Sequence, residues 1–141
     1  MVKVLITGGA GYLGSTLTQH LLDRGFKVDV LDNLMYEQTS LLHLCSNQNF
    51  RFINEDVTNF EFLKHLIRVY DVVIPLAAIV GGPACDQNKD LATKVNFEQI
   101  KCIVDNLKDN QKLIMPNTNS QYGSSKEIIT EDSPFNPLSH Y

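Results

Sequence analysis

Residues 3–14 read KVLITGGAGYLG, a run rich in β-branched residues that passes directly into glycines and then into a segment of helical period. Residues 3–7 have the continuous apolar character of a strand buried on both faces. GSTLTQHLLDRG at 14–25 reads as a helix, with Leu17, Leu21 and Leu22 on one face and Gly25 where it should stop. KVDVLD at 27–32 is a second strand, so the opening of the chain is a β-α-β unit. In such a unit the frame Gly8, Gly11 and Gly14 has three separate uses. One glycine allows the sharp turn, one lets an anion approach the backbone, and one lets the helix lie close on the strand, while the helix N-terminus offers unpaired N–H donors.

Outward from this unit, FRFINE (50–55), DVVIPLA (71–77) and KLIMP (112–116) are predicted strands. EFLKHLIRVY (61–70) and LATKVNFEQIKCIVDNLKD (91–109) are predicted helices, the second with Ile100, Ile103, Val104 and Leu107 at core spacing, and EQTSLLHLC (37–45) reads as a short helical segment. Strands separated by helices, with more than a hairpin turn between them, call for a parallel sheet covered on both faces. The expectation is an α/β fold, a doubly wound parallel sheet of Rossmann type with five strands. No internal repeat or low-complexity tract interrupts residues 1–141, which read as one domain.

Composition narrows the function classes. The 141 residues are 43% hydrophobic and 20% charged, enough for a sizeable core. The net charge of −4, with no Lys/Arg cluster, argues against nucleic acid as a partner. No apolar run approaches the roughly 18 to 20 residues of a membrane span, and MVKVLITGG enters a strand pattern instead of a signal peptide, so the expected location is the cytoplasm. Cys45, Cys85 and Cys102 lack metal-like spacing and read as ordinary reduced thiols, with no metal site implied.

Asp32 ends the second strand, 18 residues after Gly14. A carboxylate there can accept both hydroxyls of an adenosine ribose, and it would repel a 2'-phosphate. The expected cofactor is therefore NAD in preference to NADP.

These residues resemble the extended short-chain dehydrogenase/reductases, in particular the NAD-dependent nucleotide-sugar epimerase/dehydratase family, and the resemblance runs over nearly the whole chain. TGGAGYLG matches the family's TGxxGxxG, Asp32 and Asn33 match its ribose-binding pair, and EDVTN at 55–59 matches its adenine-contacting segment. The resemblance implies that Tyr12 and Leu13 lie along the pyrophosphate and that Asp56 and Val57 hold the adenine edge. It places Leu76, Ala77 and Ala78 in the loop beside the nicotinamide ribose, with Asn96 lining the same site. Pro75 stands where the family usually has histidine.

For the chemistry, MPNTNSQYGSS resembles the family segment that carries a Ser or Thr four residues before Tyr-Gly, which makes Thr118 the hydroxyl that positions the reacting sugar oxygen, ahead of Tyr122 and Gly123. Dehydratases of the family carry Asp and Glu directly after this position. Here Asn119 and Ser120 follow, so elimination of water is disfavoured. Val80 stands where galactose-type epimerases usually have lysine, which weakens a specific 4-epimerase assignment. EDSPFNPLSHY resembles the approach to the family's YxxxK, with Tyr141 as the tyrosine and the lysine's position beyond the last residue. A phenol with an ordinary pKa near 10 is only about one part in a thousand ionised at pH 7, so that lysine matters.

The resemblance thus implies the N-terminal, NAD-binding part of an epimerase or dehydrogenase that oxidises a sugar hydroxyl, at C4, by hydride transfer to NAD. The domain would be truncated at its catalytic tyrosine, with no C-terminal substrate domain in this chain, and inactive by itself. The expected partners are a nucleotide-sugar substrate in the longer parent and a second copy of the chain. The alternative is a catalytically silent NAD-binding module or sensor.

Overall fold

A computed structural model of the chain describes residues 1–126 and 128–141. Five strands, β1 (Lys3–Thr7), β2 (Lys27–Asp32), β3 (Phe50–Asn54), β4 (Val72–Pro75) and β5 (Lys112–Leu113), form one sheet in the order β3-β2-β1-β4-β5. Every pairing is parallel, with Val4 in register with Val28 on one side and with Val72 on the other. The chain builds outward from β1 through β2 to β3, then crosses back to β4 on the opposite side. That reversal opens a crevice between the carboxyl ends of β1 and β4, the usual ligand position in open α/β sheets.

The sheet is covered on both faces. Val4, Ile6, Val28, Val30 and Ile74 face α1 (Tyr12–Asp23), where Leu22 is buried and Leu17 and Leu21 pack half-buried; Leu41 and Leu44 complete this layer. Leu5, Leu31 and Val73 point the other way, onto α2 (Phe60–Leu66) and the helical stretch after β4, against Leu63, Ile67, Val95 and Ile103. Both faces of each central strand are therefore dry, which is why β1 and β2 read as apolar runs without alternation. Truncating a fully buried residue such as Leu5 or Ile103 to alanine should cost about 2–5 kcal/mol.

Local chemistry fixes the element ends. The Asn59 side chain caps α2 by accepting the Phe62 N–H at 3.2 Å, and Asn88 caps α4 (Lys89–Thr93) by accepting the Leu91 N–H at 3.0 Å. A further helix, α3 (Gly82–Gln87), opens with proline in its first turn and lies in a stretch the periodicity leaves unassigned. After α4 the helix widens into a π turn (Lys94–Glu98) and continues as α5 (Gln99–Asn106).

Three expectations shift. Residues 37–45 yield only a 3₁₀ turn, Leu42–Leu44, because Leu41 and Leu44 bury themselves three apart, the spacing of that tighter helix. Pairing of the last strand is limited to Lys112–Leu113; the Ile114 N–H still reaches Val73 O at 3.0 Å, but Pro116 has no donor with which to extend the ladder. Val104 is half exposed, and Gln99 occupies the core-facing position instead.

Candidate active site

A cleft of about 540 Å³ lies at the carboxyl ends of the strands. Its first half, beside β2 and β3, is lined by Asp32, Asn33, Asp56 and Val57. The glycine loop with Tyr12 and Leu13 forms the middle, and Leu76 to Val80, Pro116 and Tyr141 line the second half.

The glycine loop owes its form to contacts that admit no side chain. Gly8 has φ +69°, and a Cβ there would stand 2.5 Å from Ala77 N, so the turn after β1 is seated directly on the loop after β4. A Cβ on Gly14 would lie 2.5 Å from Gly9 Cα, which holds α1 close against the loop. Gly9, outside the frame read from the sequence, matters as well, since its Cβ would meet Val30 Cγ1 at 2.6 Å. Gly11 is the N-cap of α1. No side chain caps this helix and no acid sits in its first turn, so the leading amides are left for an anion at the cleft.

Asp32 is buried, and its carboxylate ties two segments together. Oδ2 accepts the Ala10 N–H at 3.0 Å and Oδ1 the Leu34 N–H at 2.9 Å. A carboxylate offers about four acceptor sites, so two remain for a ligand. Asn33 is turned toward β3, its amide donating to Asp56 Oδ2 at 2.8 Å. The other Asp56 oxygen accepts the Thr58 N–H at 2.8 Å and the Thr58 hydroxyl at 2.6 Å. Burial alone would raise the Asp56 pKa, but the hydrogen bonds from Thr58 and Asn33 outweigh it and hold the carboxyl below its ordinary range.

Gln38 is no candidate from the pattern of residues; its Oε1 is buried without a partner among the described residues, while the side chain lines the cleft. Its placement depends on two residues in left-handed backbone, Leu34 (φ 54°) and Glu37 (φ 55°), and on the Ser40 hydroxyl donating to Ala10 O at 2.7 Å. Such a loop path cannot be read from local residue types. A buried acceptor with no protein donor, opening on a cleft with uncapped helix amides and spare carboxylate lone pairs, suits a ligand that brings both hydroxyl or amino donors and a phosphate group.

In the second half, Leu76, Ala77 and Ala78 line the cleft, and Asn96 stands one layer behind them. Its amide donates to Ile79 O at 2.9 Å and its Oδ1 accepts the Ile79 N–H at 2.8 Å. Tyr141 reaches the cleft because the segment before it is fastened to α4, with His140 Nε2 lying 2.9 Å from Thr93 Oγ1 and 3.2 Å from Lys89 O. Thr118 is not in the cleft. It caps the 3₁₀ turn Asn119–Tyr122, accepting the Ser120 N–H at 3.2 Å and donating to Ser120 Oγ at 3.0 Å. Tyr122 meets Phe135, ring centroids 5.8 Å apart.

The sequence model of the NAD dependent epimerase/dehydratase family matches residues 4–141. The chain belongs to that family. It is 32% identical over 131 residues to the UDP-N-acetyl-alpha-D-glucosaminuronate decarboxylase of Bacillus cytotoxicus, covering 92% of this chain and 40% of that protein. It is 33% identical over 148 residues to the UDP-glucuronate 4-epimerase of Thermodesulfobacterium geofontis, covering 97% and 46%. The crystal structure of UDP-glucuronic acid 4-epimerase from Bacillus cereus, in complex with UDP-glucuronic acid and NAD, superposes with a TM-score of 0.87 at 30% identity, over 99% of this chain and 47% of that one. The chain therefore spans less than half the length of these relatives. Among the described residues, no helix is long and apolar enough to cross a membrane.

Proposed function

We propose that the cleft binds NAD and that the chain forms the NAD-binding part of a nucleotide-sugar epimerase or dehydrogenase that oxidises a sugar hydroxyl at C4. The observation that carries this reading is that Tyr141 lines the same cleft as the glycine loop, Asp32 and the loop after β4. A phenol thus shares one cavity with the groups suited to a dinucleotide. The relatives' names, UDP-sugar decarboxylase and UDP-sugar 4-epimerase, support a UDP-sugar as the substrate class.

In this reading Asp32 takes the adenosine ribose hydroxyls with its remaining lone pairs, and Asp56 and Val57 hold the adenine edge, Gln38 Oε1 adding an acceptor. Asn33 acts indirectly, by holding Asp56. The amides of Tyr12 and Leu13, at the start of α1, receive the pyrophosphate, while Leu76, Ala77 and Ala78 flank the nicotinamide ribose and Asn96 holds their loop. When bound, NAD accepts a hydride from the carbon that bears the hydroxyl. Tyr141 removes the hydroxyl proton. Thr118 hydrogen-bonds the reacting sugar oxygen, which requires its hydroxyl to exchange Ser120 for substrate. Asn119 and Ser120 follow Thr118, so the two positions directly after it supply no titrating pair of the kind a dehydratase uses. Phe97 and Val104, exposed on the π turn and α5, suit a subunit contact, and we expect a homo-oligomer by light scattering.

The test is a titration with NAD followed by amide NMR. Joint shifts at Gly8 to Gly14, Asp32, Asp56 and Ala77 to Ala78, with the Tyr141 ring, are expected. Shifts confined to one half of the cleft, or none, would refute the reading.

A further inference from the structure

The polar contacts of the second half of the cleft converge on one side chain that does not line it. Gln99 is fully buried at the start of α5. Its Oε1 accepts the Thr7 hydroxyl at 2.8 Å, and its Nε2 donates to Ala77 O at 3.0 Å and Val95 O at 2.7 Å. Thr7 Oγ1 in turn accepts the Ala77 N–H at 3.4 Å, so both peptide groups of Ala77 are engaged.

The π turn makes this possible. In an α-helix the Gln99 N–H would bond Val95 O, but here it reaches back to Lys94 O, and the Gln99 side chain takes Val95 O in its place. Asn96, in the same turn, grips both polar groups of Ile79. Two side-chain amides thus hold the loop at Ala77 and at Ile79, and Ala78, which faces the cleft, is fixed between them. Packing alone does not ask for an amide here. A methionine would fill similar space, whereas a buried amide is tolerated only with its partners in place. The loop also has no slack on its other side, where Gly8 leaves no room for a Cβ against Ala77 N.

We propose that Gln99, with Thr7, is a positioning residue that sets the height of the Leu76–Ala78 loop against the glycine loop and so fits the second half of the cleft to the nicotinamide ribose. The proposal rests on the NAD reading above. It assigns Gln99 no contact with the cofactor.

The test compares the whole chain with its Gln99→Met and Thr7→Val variants and the double variant. Without ligand, amide hydrogen exchange should quicken at Ala77 to Ile79, on the order of tenfold, while β1 and β2 keep their protection, as expected for loss of hydrogen bonds that hold one segment. By calorimetry, NAD should bind about tenfold more weakly to Gln99→Met, with ADP, which spans only the adenosine and pyrophosphate positions, unchanged within about twofold. The two single losses should sum to more than the double, because Thr7 and Gln99 share a bond. Unchanged exchange in the loop would overturn the proposal, and so would equal weakening of NAD and ADP, which would mark Gln99 as a general packing residue. Thr7→Val, isosteric with the native residue, keeps the test decisive should Gln99→Met fail to fold. If the native chain bound neither NAD nor ADP, the reading of the cleft would have failed and the positioning role with it, while the exchange data would still report separately whether Gln99 holds the loop.

Discussion

The two halves of the cleft are built in opposite ways. The first, from Gly8 to Val57, is made by residues at or just after the ends of β1, β2 and β3, and its groups face the cleft with hydrogen-bonding capacity to spare: uncapped amides, two free acceptor positions on Asp32, an unpartnered Gln38 oxygen. The second half is made by the loop after β4 and by Tyr141, and it is held from behind by side chains that never reach the cleft, Gln99, Asn96 and His140. The first half is marked by hydrogen-bonding positions left unused, the second by those it satisfies from behind. Substitutions in the first half should therefore remove groups that bind directly, and substitutions behind the second half should act through its geometry, on binding as well as turnover.

The largest effect should come where the halves touch. Gly8→Val places a β-branched side chain at φ +69° against the backbone of Ala77, and the strain plus the clash should destabilise the protein by about 4 kcal/mol or more. Thermal unfolding would show it, and a native-like melting temperature would mean the two loops are not in contact. Next, Tyr141→Phe in a protein that turns over a UDP-sugar should slow oxidation by roughly 10²- to 10⁴-fold, read by NADH absorbance, and leave the Kd for NAD unchanged. Equal damage to both would move Tyr141 from chemistry to binding.

A smaller effect separates the halves by pH. Asp56 is held below its unfolded value of about 3.9. A lowered folded pKa contributes stability that is fully present above the unfolded value and is lost as pH falls through the folded one. Melting temperature should therefore fall more steeply below about pH 4 in the native chain than in Asp56→Asn, with hydrogen exchange rising first near β3. Parallel acid profiles would contradict the bonds from Thr58 and Asn33. The smallest effect belongs to Thr118→Ala. Among the described residues Thr118 makes local turn contacts outside the cleft, so its removal should change NAD affinity by less than about 0.5 kcal/mol, measured by calorimetry. A larger loss would put Thr118 at the cofactor.

The same contrast explains what was legible in the sequence. Strands buried on both faces, a glycine loop between strand and helix, and an acid at the next strand end are local patterns, and they fall where residues 3–32 predict them. The second half depends on partners distant in the chain. The apolar pattern gives Gln99 no core position, because a buried amide needs partners, and two of its three, Thr7 and Ala77, lie on β1 and the loop after β4, more than 20 residues away in the chain. Taking the apolar Val104 for the core followed from the same omission, since a face centred on Gln99 and Ile103 leaves Val104 turned to solvent. Thr118 resembles a family position by spacing, and the local Ser/Thr turn its side chain also makes carries no mark in that spacing. Gln38 carries no local signature at all.

The central claim is that the first half binds NAD through Asp32. Isothermal calorimetry of the native chain and Asp32→Ala with NAD and with NADP tests it directly. The account predicts tighter binding of NAD than of NADP, because a carboxylate facing a 2'-phosphate sets like charges together, and a loss of about 1–3 kcal/mol for NAD on Asp32→Ala, the scale of hydrogen bonds to a charged group. Equal affinities for the two dinucleotides, or an Asp32→Ala variant that folds and binds NAD as the native chain does, would contradict it.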